Sequence, residues 1–359
     1  METIKEALTF DDVLLLPRYS SILPSKTDIN LNLTKNISLK VPFLTSAMDT
    51  VTESKMAIAI GKEGGLGIIH RNLNIKTQSK EVKKVNHKNL LVGAAIGTNY
   101  EDIERARSLT SNGVDLIVID TAHGHSEKVL RTLNKVKKII KKTPICVGNI
   151  ATGEAAKKLY NSGADIIKVG IGPGSICTTR MVAGIGMPQI SAIIDVKKAL
   201  NKKNIKIISD GGIKFSGDIA KALAAGADAI MMGSIFAGTD ESPGKKFRFK
   251  GKFFKQYRGM GSIGAMSAGS ANRYFQKNFK DKSKFVPEGV EGRVECKGKV
   301  SKIIYQLQGG LRSSMGYIGA KNLKQINKKA KFVKITKAGF YESMVHSVEM
   351  TQKTINYKL

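Results

Sequence analysis

Short apolar runs rich in branched residues recur about every 20 to 40 residues along the chain, and each ends at or beside Gly, Asp, Asn or Ser. Most runs are followed by a segment with helical spacing of apolar positions, a pattern typical of parallel strands joined by helices. We predict helices at residues 100–111, 126–142, 153–163, 189–201 and 216–225. We predict eight strands, at residues 42–46, 65–70, 90–96, 116–120, 144–149, 166–170, 206–210 and 229–234. Eight strand–helix units favour an α/β fold, the (β/α)8 TIM barrel.

The pattern breaks between residues 236 and 298, where the periodicity fades and Gly, Ser and aromatic residues become frequent. We interpret residues 1–359 as a single barrel domain with a long insertion at 236–298, after the eighth strand and before its helix. Long loops in compact domains are often lids or binding segments, and otherwise they are disordered. We therefore predict a lid here, with simple disorder as the alternative.

The carboxyl ends of barrel strands form one surface, and enzymes of this fold keep their chemistry there. The last two strand ends are rich in Gly, as in the phosphate sites of such barrels, where backbone N–H groups meet an anion near a helix start. The residues expected on this surface are Ser46, Asp49, Asp120, His123, Asn149, Cys177, Asp210, Gly211, Gly212, Gly233 and Ser234.

The loop sequence VGIGPGSICTTR overlaps the end of the sixth predicted strand and continues beyond it. Gly170, Gly172 and Gly174 let the backbone turn sharply and approach a ligand closely, and Ser175 adds a hydroxyl. Cys177 supplies the most nucleophilic side chain available at neutral pH. A tight turn with a small buried thiol is the alternative, but the position at a strand's carboxyl end favours catalysis. The glycines do not form a Rossmann fingerprint, because the required spacing and acidic residue are missing.

Composition excludes several classes of protein. The chain is 42% hydrophobic and has no apolar run near the roughly 20 residues that span a membrane. Its start lacks a basic leader and a small-residue cleavage site, so we expect a cytoplasmic protein. Cys146, Cys177 and Cys296 are odd in number and far apart, which favours reduced thiols. The formal charge of +30 comes mostly from scattered lysines without a reading helix, so we expect no specific nucleic-acid partner.

Six long motifs carry a family resemblance: GPGSICTTR, SDGGIKFSGDIAKALAAGAD, MMGSIFAGT, YRGMGSIGAM, NRYF and VPEGVEGRV. Together, and in this order, they closely resemble the IMP dehydrogenase / GMP reductase family, and the resemblance runs through essentially the whole barrel. The pair Arg273–Tyr274 and the segment MVAGIGMPQ resemble the dehydrogenase branch. The resemblance thus implies NAD-dependent oxidation of IMP to XMP in guanine nucleotide synthesis. The NADPH-dependent deamination of GMP to IMP, catalysed by the reductase branch, is the alternative.

The chain departs from most of this family at the connection after the second strand. Most members insert a pair of nucleotide-binding CBS modules there, whereas this chain passes to the third strand through the short connection at residues 71–89. The resemblance therefore implies intact catalysis in a form without these modules. Purine-nucleotide control and assembly through them are not implied for this chain.

The resemblance implies chemical roles for four residues. The Cys177 thiolate would attack carbon 2 of the purine ring, and hydride would leave that carbon for the nicotinamide of NAD, giving a covalent thioimidate. After lid closure Arg273 would activate water, with Tyr274 and Thr179 orienting it. A purely cationic role for Arg273 is the alternative, since the pKa of free Arg lies above about 12.

The same resemblance implies two sets of ligand-binding residues. For IMP they are Ser46, Met48, Ser175, Asp210, Gly212, Gly233, Ser234, Tyr257, Gly259, Met260, Gly261 and Glu288, with Asp210 accepting hydrogen bonds from the ribose hydroxyls. For NAD they are Asp120, Thr121, Ala122, Asn149 and Gly170.

The family is also activated by a monovalent cation, usually potassium, that backbone carbonyls of the cysteine loop share with a neighbouring subunit's carboxyl-terminal segment. The implied ligands are Gly172, Gly174, Cys177, Glu342, Ser343 and Met344. Because two subunits contribute, the resemblance implies a homotetramer. His123 and His125 resemble a zinc pair only superficially, since no third ligand is near them in the sequence.

Overall fold

The amino-terminal part of the chain forms strand β1 (Val13–Leu15) and a hairpin of β2 (Leu31–Asn32) and β3 (Ser38–Leu39). Eight parallel strands follow and pair edge to edge until the last meets the first, which closes a barrel. These strands are β4 (Phe43–Thr45), β5 (Leu66–Ile69), β6 (Val92–Ile96), β7 (Leu116–Asp120), β8 (Ile145–Ile150), β9 (Ile166–Val169), β10 (Lys206–Asp210) and β11 (Ala229–Met232). The structure is a computed structural model that describes residues 4–201, 203–274, 276, 281–351, 354, 356 and 357.

The barrel strands alternate with helices, as the sequence predicts. In chain order the helices of the described residues are α1 (Ser54–Lys62), α2 (Ile75–Asn86), α3 (Glu101–Ser111), α4 (Glu127–Ile139), α5 (Gly153–Asn161), α6 (Thr179–Val182), α7 (Gln189–Ala199), α8 (Ser216–Ala225), α9 (Ser234–Ala237), α10 (Ile263–Ser267), α11 (Val300–Ile318), α12 (Leu323–Lys329) and α13 (Lys337–Glu342). Helix α4 ends at Ile139, before its predicted limit at residue 142, because Ile140 has an extended backbone. The prediction of a (β/α)8 barrel is confirmed.

The core has two layers, because each barrel strand buries both of its faces. One layer lies between the strands and the surrounding helices, and the other fills the barrel interior. The interior layer includes the first residues of several strands together with side chains of the β2–β3 hairpin, which closes this end of the barrel. The members that show this are Leu31, Leu33, Ile37, Leu39, Leu66, Leu116, Ile166 and Ala229.

Alternation along the strands sends charged side chains into the opposite end of the barrel. In β9, Ile166 belongs to the interior layer and Ile167 to the outer layer, so Lys168 points inward again. The same alternation directs Asp120 of β7 and Asp210 of β10 toward the interior. The carboxyl end of the barrel therefore holds a group of charged residues above an apolar floor.

Regular structure occupies much of the region between α9 and α11. Strands β12 (Lys246–Phe249), β13 (Lys252–Arg258) and β14 (Glu291–Glu295) form an antiparallel sheet. Helix α10 and a 3-10 turn at Ser270–Tyr274 lie between β13 and β14. The described part of the insertion, residues 236–298, is thus a folded element, while Phe275 and residues 277–280 within it lie outside the described residues.

The remaining elements complete the outer surface. The short connection at residues 71–89 contains α2, which packs against α3 beside the barrel. Strand β15 (Phe332–Lys334) pairs antiparallel with β1. Among the described residues no helix combines the length and the apolar character that a membrane crossing requires.

A buried glutamine joins α2 to the ends of two barrel strands. Gln78 is fully buried, and its side-chain amide donates to the carbonyls of Ile69 at 3.4 Å, His70 at 3.0 Å and Ala95 at 2.8 Å. Its Oε1 accepts a hydrogen bond from Arg105 of α3 at 2.8 Å. One side chain therefore links two helices to β5 and β6.

We expect Gln78→Leu to lower the free energy of unfolding by about 3 kcal/mol, because it removes the hydrogen bonds to buried carbonyls and the one from Arg105. Urea unfolding followed by circular dichroism measures this change. Lys80→Ala, at an exposed position of the same helix, should change the free energy by less than about 0.5 kcal/mol. Equal effects of the two substitutions would contradict a special role for the buried amide.

Candidate active site

The loop after β9 places a cysteine at the carboxyl end of the barrel. Gly170 opens the loop with a φ of +153°, and a Cβ there would lie 2.0 Å from the carbonyl oxygen of Asp210, so only glycine fits. The Cys177 Sγ donates to the hydroxyl of Thr179 at 3.2 Å. Thr179 begins the short helix α6, so the local turn brings these two predicted catalytic side chains together.

An arginine holds the far side of this loop. Arg180 donates from Nε to the carbonyl of Ile171 at 3.3 Å and from its guanidinium to the carbonyl of Met187 at 2.5 Å. Burial lowers the pKa of Arg180, and the nearby Cys177 opposes this effect. These contacts of Arg180 help to hold the conformation of the loop.

The insertion closes over the cysteine loop through backbone contacts. Thr178 N donates to the Glu288 carbonyl at 3.0 Å, and Val290 N donates to the Ile176 carbonyl at 3.1 Å. The Glu288 N–H in turn donates to the Gly261 carbonyl at 3.1 Å. These contacts tie the two sides of the insertion to the loop that carries the cysteine.

A cavity of about 880 Å³, part of it open to solvent, lies between this loop, the barrel end and the insertion. Of the predicted site residues, those that line it are Ser46, Met48, Asp120, Asn149, Gly170, Gly172, Gly174, Ser175, Cys177, Asp210, Gly212, Gly233, Ser234, Tyr257, Gly259, Met260, Arg273, Tyr274 and Glu288. Tertiary structure thus assembles most of the predicted residues around one space.

The end of the cavity near the last two strands has the character of an anion site. A Cβ at Gly233 would lie 3.0 Å from the Met48 sulfur and 3.1 Å from the Tyr257 hydroxyl, so these groups crowd around bare backbone. Burial raises the pKa of Tyr257, with Ser175 acting in the opposite direction, so the phenol stays protonated and able to donate. Backbone amides and hydroxyls converge here. The turn between β11, the eighth barrel strand, and α9 contains no carboxylate.

A buried lysine joins the two acidic side chains of the cavity. The Lys168 ammonium donates to Asp120 Oδ1 at 3.0 Å and to Asp210 Oδ2 at 2.6 Å. It also hydrogen-bonds to Asn149 Oδ1, whose amide nitrogen donates to Asp210 Oδ2 at 3.0 Å. Only 2% of the Lys168 side chain is exposed, so its charge depends on these partners.

The insertion brings an arginine to the same group of charges. The guanidinium of Arg273 forms an ion pair with Asp120 Oδ2, and the Arg273 carbonyl accepts from Ala122 N at 3.3 Å. The neighbouring Tyr274 ring packs against Gly261, where a Cβ would lie 2.7 Å from the ring. Burial raises the pKa of Tyr274, while Arg273 opposes this effect. Arg273 therefore pairs with the carboxylate of Asp120, which the family resemblance assigns to NAD binding.

Some predicted residues lie outside the cavity lining. Thr179 hydrogen-bonds to Cys177, which lines the cavity. Gly261 packs against Tyr274, which also lines it. The Thr121 hydroxyl donates to the Gly148 carbonyl at 2.9 Å, and Ala122 contacts the insertion. Of the predicted cation ligands, Glu342 is the last residue of α13, and Ser343 and Met344 follow it; α13 packs near the Phe10–Asp12 turn.

No cluster of three potential metal-binding side chains of the His, Cys, Asp and Glu types is present among the described residues. The rings of His123 and His125 lie 6.3 Å apart in an edge-to-face arrangement. Burial and His125 both lower the pKa of His123. The part of the chain that the structure describes places no third potential ligand with these two histidines.

Sequence reasoning missed two parts of the site. The first is Lys168. The sequence feature that could have identified it is the presence of a lysine at an inward position of an otherwise apolar strand. The second is the ion pair between Arg258 and Asp49, with 2.7 Å between the guanidinium Nη2 and Oδ2. Asp49 also accepts from the Asn72 amide at 2.9 Å, so it links the insertion to the β5–α2 loop.

Fold and site together define a class of protein, a (β/α)8 barrel with a cysteine nucleophile candidate in the loop after its sixth strand. The sequence model of the IMP dehydrogenase / GMP reductase domain matches residues 7–346. The chain belongs to this family. The match covers the barrel, the cysteine loop and the insertion.

Curated relatives agree with this assignment. The chain is 49% identical to the inosine-5'-monophosphate dehydrogenase of Borreliella burgdorferi, over 96% of this chain and 98% of the relative. It is 47% identical to that of Cryptosporidium parvum over 99% of both chains. It is 41% identical to that of Aquifex aeolicus, over 99% of this chain and 98% of the relative. The last alignment has 483 positions for a chain of 359 residues, which is consistent with a form lacking the CBS modules.

We expect iodoacetamide at pH 8 to modify Cys177 and Cys296 but not Cys146. Cys177 and Cys296 are partly exposed, whereas Cys146 is buried inside the barrel and burial raises its pKa to about 12. Thiolate is the reactive form, so the buried thiol stays inert. Mass spectrometry of tryptic peptides measures the modification, and labelling in urea should reach all three. Rapid labelling of Cys146 in the native protein would contradict the buried position.

Proposed function

We propose that the chain is an IMP dehydrogenase, which oxidises IMP to XMP with NAD as the hydride acceptor. The observation that carries this proposal is the meeting of Cys177 with Arg273 and Tyr274 around one cavity. The resemblance that distinguishes the dehydrogenase branch from the reductase branch rests on the same Arg–Tyr pair. The relatives named above, which match almost the whole chain, support the proposal.

The first half of the reaction uses the cysteine loop. The Cys177 thiolate adds to carbon 2 of the purine ring, and hydride then leaves that carbon, so a thioimidate joins the sulfur to the base. NAD, when bound, supplies the chemistry of hydride acceptance. The Thr179 hydroxyl, at 3.2 Å from the sulfur, accepts a hydrogen bond from the thiol in the resting state and orients the side chain.

The residues on one side of the cavity fit the nucleotide. Asp210 has a carboxylate that can accept hydrogen bonds from ribose hydroxyls. The glycines at the ends of the last two strands and the protonated Tyr257 can donate to a phosphate. Glu288 of the insertion lines the cavity, and its N–H donates to the Gly261 carbonyl, so we assign contacts with the base to this part of the insertion.

The residues on the other side fit NAD, provided the insertion moves. Asp120 is buried beside Asn149 and Gly170 and offers a carboxylate to a ribose hydroxyl. In the structure that carboxylate is paired with Arg273. We therefore propose that the insertion is a lid, and that Arg273 and NAD use Asp120 in turn.

The second half of the reaction is hydrolysis of the thioimidate. Water adds to carbon 2, the carbon–sulfur bond breaks, and XMP leaves as the Cys177 thiol is restored. With the lid closed, Arg273 and Tyr274 are among the lid side chains that line the cavity, and Thr179 is next to the sulfur. We assign water activation to this group, with Arg273 as base or as cation.

A monovalent cation, potassium, is proposed at the cysteine loop. The donor set fits, because Gly172 and Gly174 offer backbone carbonyls, and hard cations prefer oxygen ligands. Bound there, the ion would hold the loop conformation. Glu342, Ser343 and Met344 of a neighbouring subunit would complete the site, so the proposal includes a homotetramer. We also propose that this homotetramer is cytoplasmic.

We expect purified protein to form NADH from IMP and NAD in potassium buffer with sustained turnover, measured by absorbance at the NADH band. Cys177→Ala should reduce turnover to below about one-thousandth, because the covalent step is lost. Oxidation of NADPH with GMP, and none of the first reaction, would instead support the reductase. Silence in both assays would overturn the proposal.

We expect Arg273→Gln to spare the first turnover and slow the steady state by about 100-fold, because only hydrolysis loses its activating group. Stopped-flow mixing should still show a burst near one NADH per active site. Arg248→Gln, on an exposed position of the insertion, is the matched control and should behave as wild type. Equal loss of burst and steady-state rates would contradict the assigned role.

A further inference from the structure

We infer that Lys168 is a positioning residue that couples the IMP side of the cavity to the NAD and lid side. It does so by sharing one ammonium between Asp210 and Asp120. The identity of the two ligands in this inference rests on the proposed function. The coupling itself rests on the contacts of the three side chains.

The ammonium has no donor left for a ligand. Its three protons match three acceptors, on Asp120, Asn149 and Asp210, and the side chain is 2% exposed. Lys168 therefore acts through the carboxylates and does not itself bind substrate. Its place on β9, one residue before the strand ends, holds it at the same level of the barrel as both acids.

Each carboxylate has one oxygen committed to this group. Asp120 gives Oδ1 to Lys168 and Oδ2 to Arg273. The two side-chain contacts of Asp210, from Lys168 and Asn149, both use Oδ2. The lysine thus fixes how both acids are turned, so that Asp120 Oδ2 and Asp210 Oδ1 are the oxygens presented to ligands or to the lid.

The charges explain why this matters for lid movement. With the lid closed, Lys168 and Arg273 balance Asp120 and Asp210. When Arg273 leaves, one negative charge is uncompensated, which favours a group that can hydrogen-bond to Asp120. Without Lys168, the two carboxylates would share a buried site with no cation once the lid opened, and such pairs resist double ionisation.

Lys168→Met keeps the length of the side chain and removes the charge. In this variant the acids repel, and a proton bound to the pair substitutes for the missing ammonium. We expect the ratio of the variant's KM for IMP to that of wild type to be about 30 at pH 8. At pH 6 this ratio should be smaller by a factor of at least about five. A lysine needed only for packing would give a ratio that does not change with pH.

Other groups around Lys168 do not produce this signature. Burial keeps Cys146 of β8 and Tyr257 of β13 protonated, since it raises the pKa of both. Titration of Cys177 or of the IMP phosphate is common to wild type and variant, so it cancels in the ratio. The charged and titratable groups that line the cavity with Lys168 are Asp120, Asp210, Cys177, Tyr257, Arg273, Tyr274 and Glu288, and Cys146 interacts with the lysine from inside the barrel.

The experiment compares KM for IMP and for NAD at pH 6, 7 and 8 across five proteins. They are wild type, Lys168→Met, Lys168→Arg, the double variant Lys168→Met with Asp120→Asn, and Lys206→Met. Lys168→Arg keeps the charge and should show a ratio near one without pH dependence. The double variant removes the repulsion, so its KM for IMP should recover while its KM for NAD stays raised.

Lys206→Met is the matched control, because Lys206 pairs with Asp228 at 2.9 Å on the neighbouring strand, outside the cavity lining. Its ratio should stay flat with pH. A flat ratio for Lys168→Met, or a double variant no better than the single one, would overturn the inference. If Lys168→Met does not fold, the inference would be overturned by a Lys168→Arg variant that does not keep the wild-type KM values.

The proposed function and this inference fail in different ways. Wild-type protein that forms no NADH from IMP and NAD would refute the function. The inference would then be decided by calorimetric affinities for IMP itself at the three pH values, in the same five proteins. Wild-type activity with a pH-independent Lys168→Met ratio would refute the inference alone.

Discussion

The structure of the site depends on one buried ammonium held between two carboxylates. Lys168 lies inside the barrel with almost no exposure, where an unpaired charge would be very costly, so Asp120 and Asp210 must approach it. Those acids come from the fourth and seventh strands of the barrel, and only closure of the sheet brings the strand ends to one point. The apolar layers below supply the packing, and the charged group at the carboxyl end determines where ligands can bind.

The insertion is coupled to this group at one atom. Arg273 reaches Asp120 Oδ2, while the oxygen beside it is held by Lys168. Backbone hydrogen bonds also join the cysteine loop to Glu288 and Val290, just before β14, so the insertion and the cysteine are positioned by the same contacts. Under the proposed function, a ligand that binds Asp120 must displace Arg273, and Arg273 can return only when Asp120 is free.

The large positive charge of the chain has little to do with the balance inside the site. Lys168 and Arg273 meet two carboxylates in the site, whereas many of the other lysines lie on the outer helices, as in α2 and α4. A basic exterior attracts anions such as nucleotides over a distance of about a Debye length. Recognition in the cavity then rests on backbone amides, hydroxyls and a few paired charges.

The sequence by itself determined the fold and the family, and it located the cysteine loop. Strands such as β7 and β10 end where they were predicted, because runs buried on both faces carry a strong apolar signal and polar residues stop them. Lys168 was missed, because one lysine in a strand has no pattern of its own. The contact of Arg273 with Asp120 spans 153 residues and depends on how the insertion folds back. Such pairings were decided only by tertiary structure, since buried charges take their partners from whatever strand ends the closed barrel brings within reach.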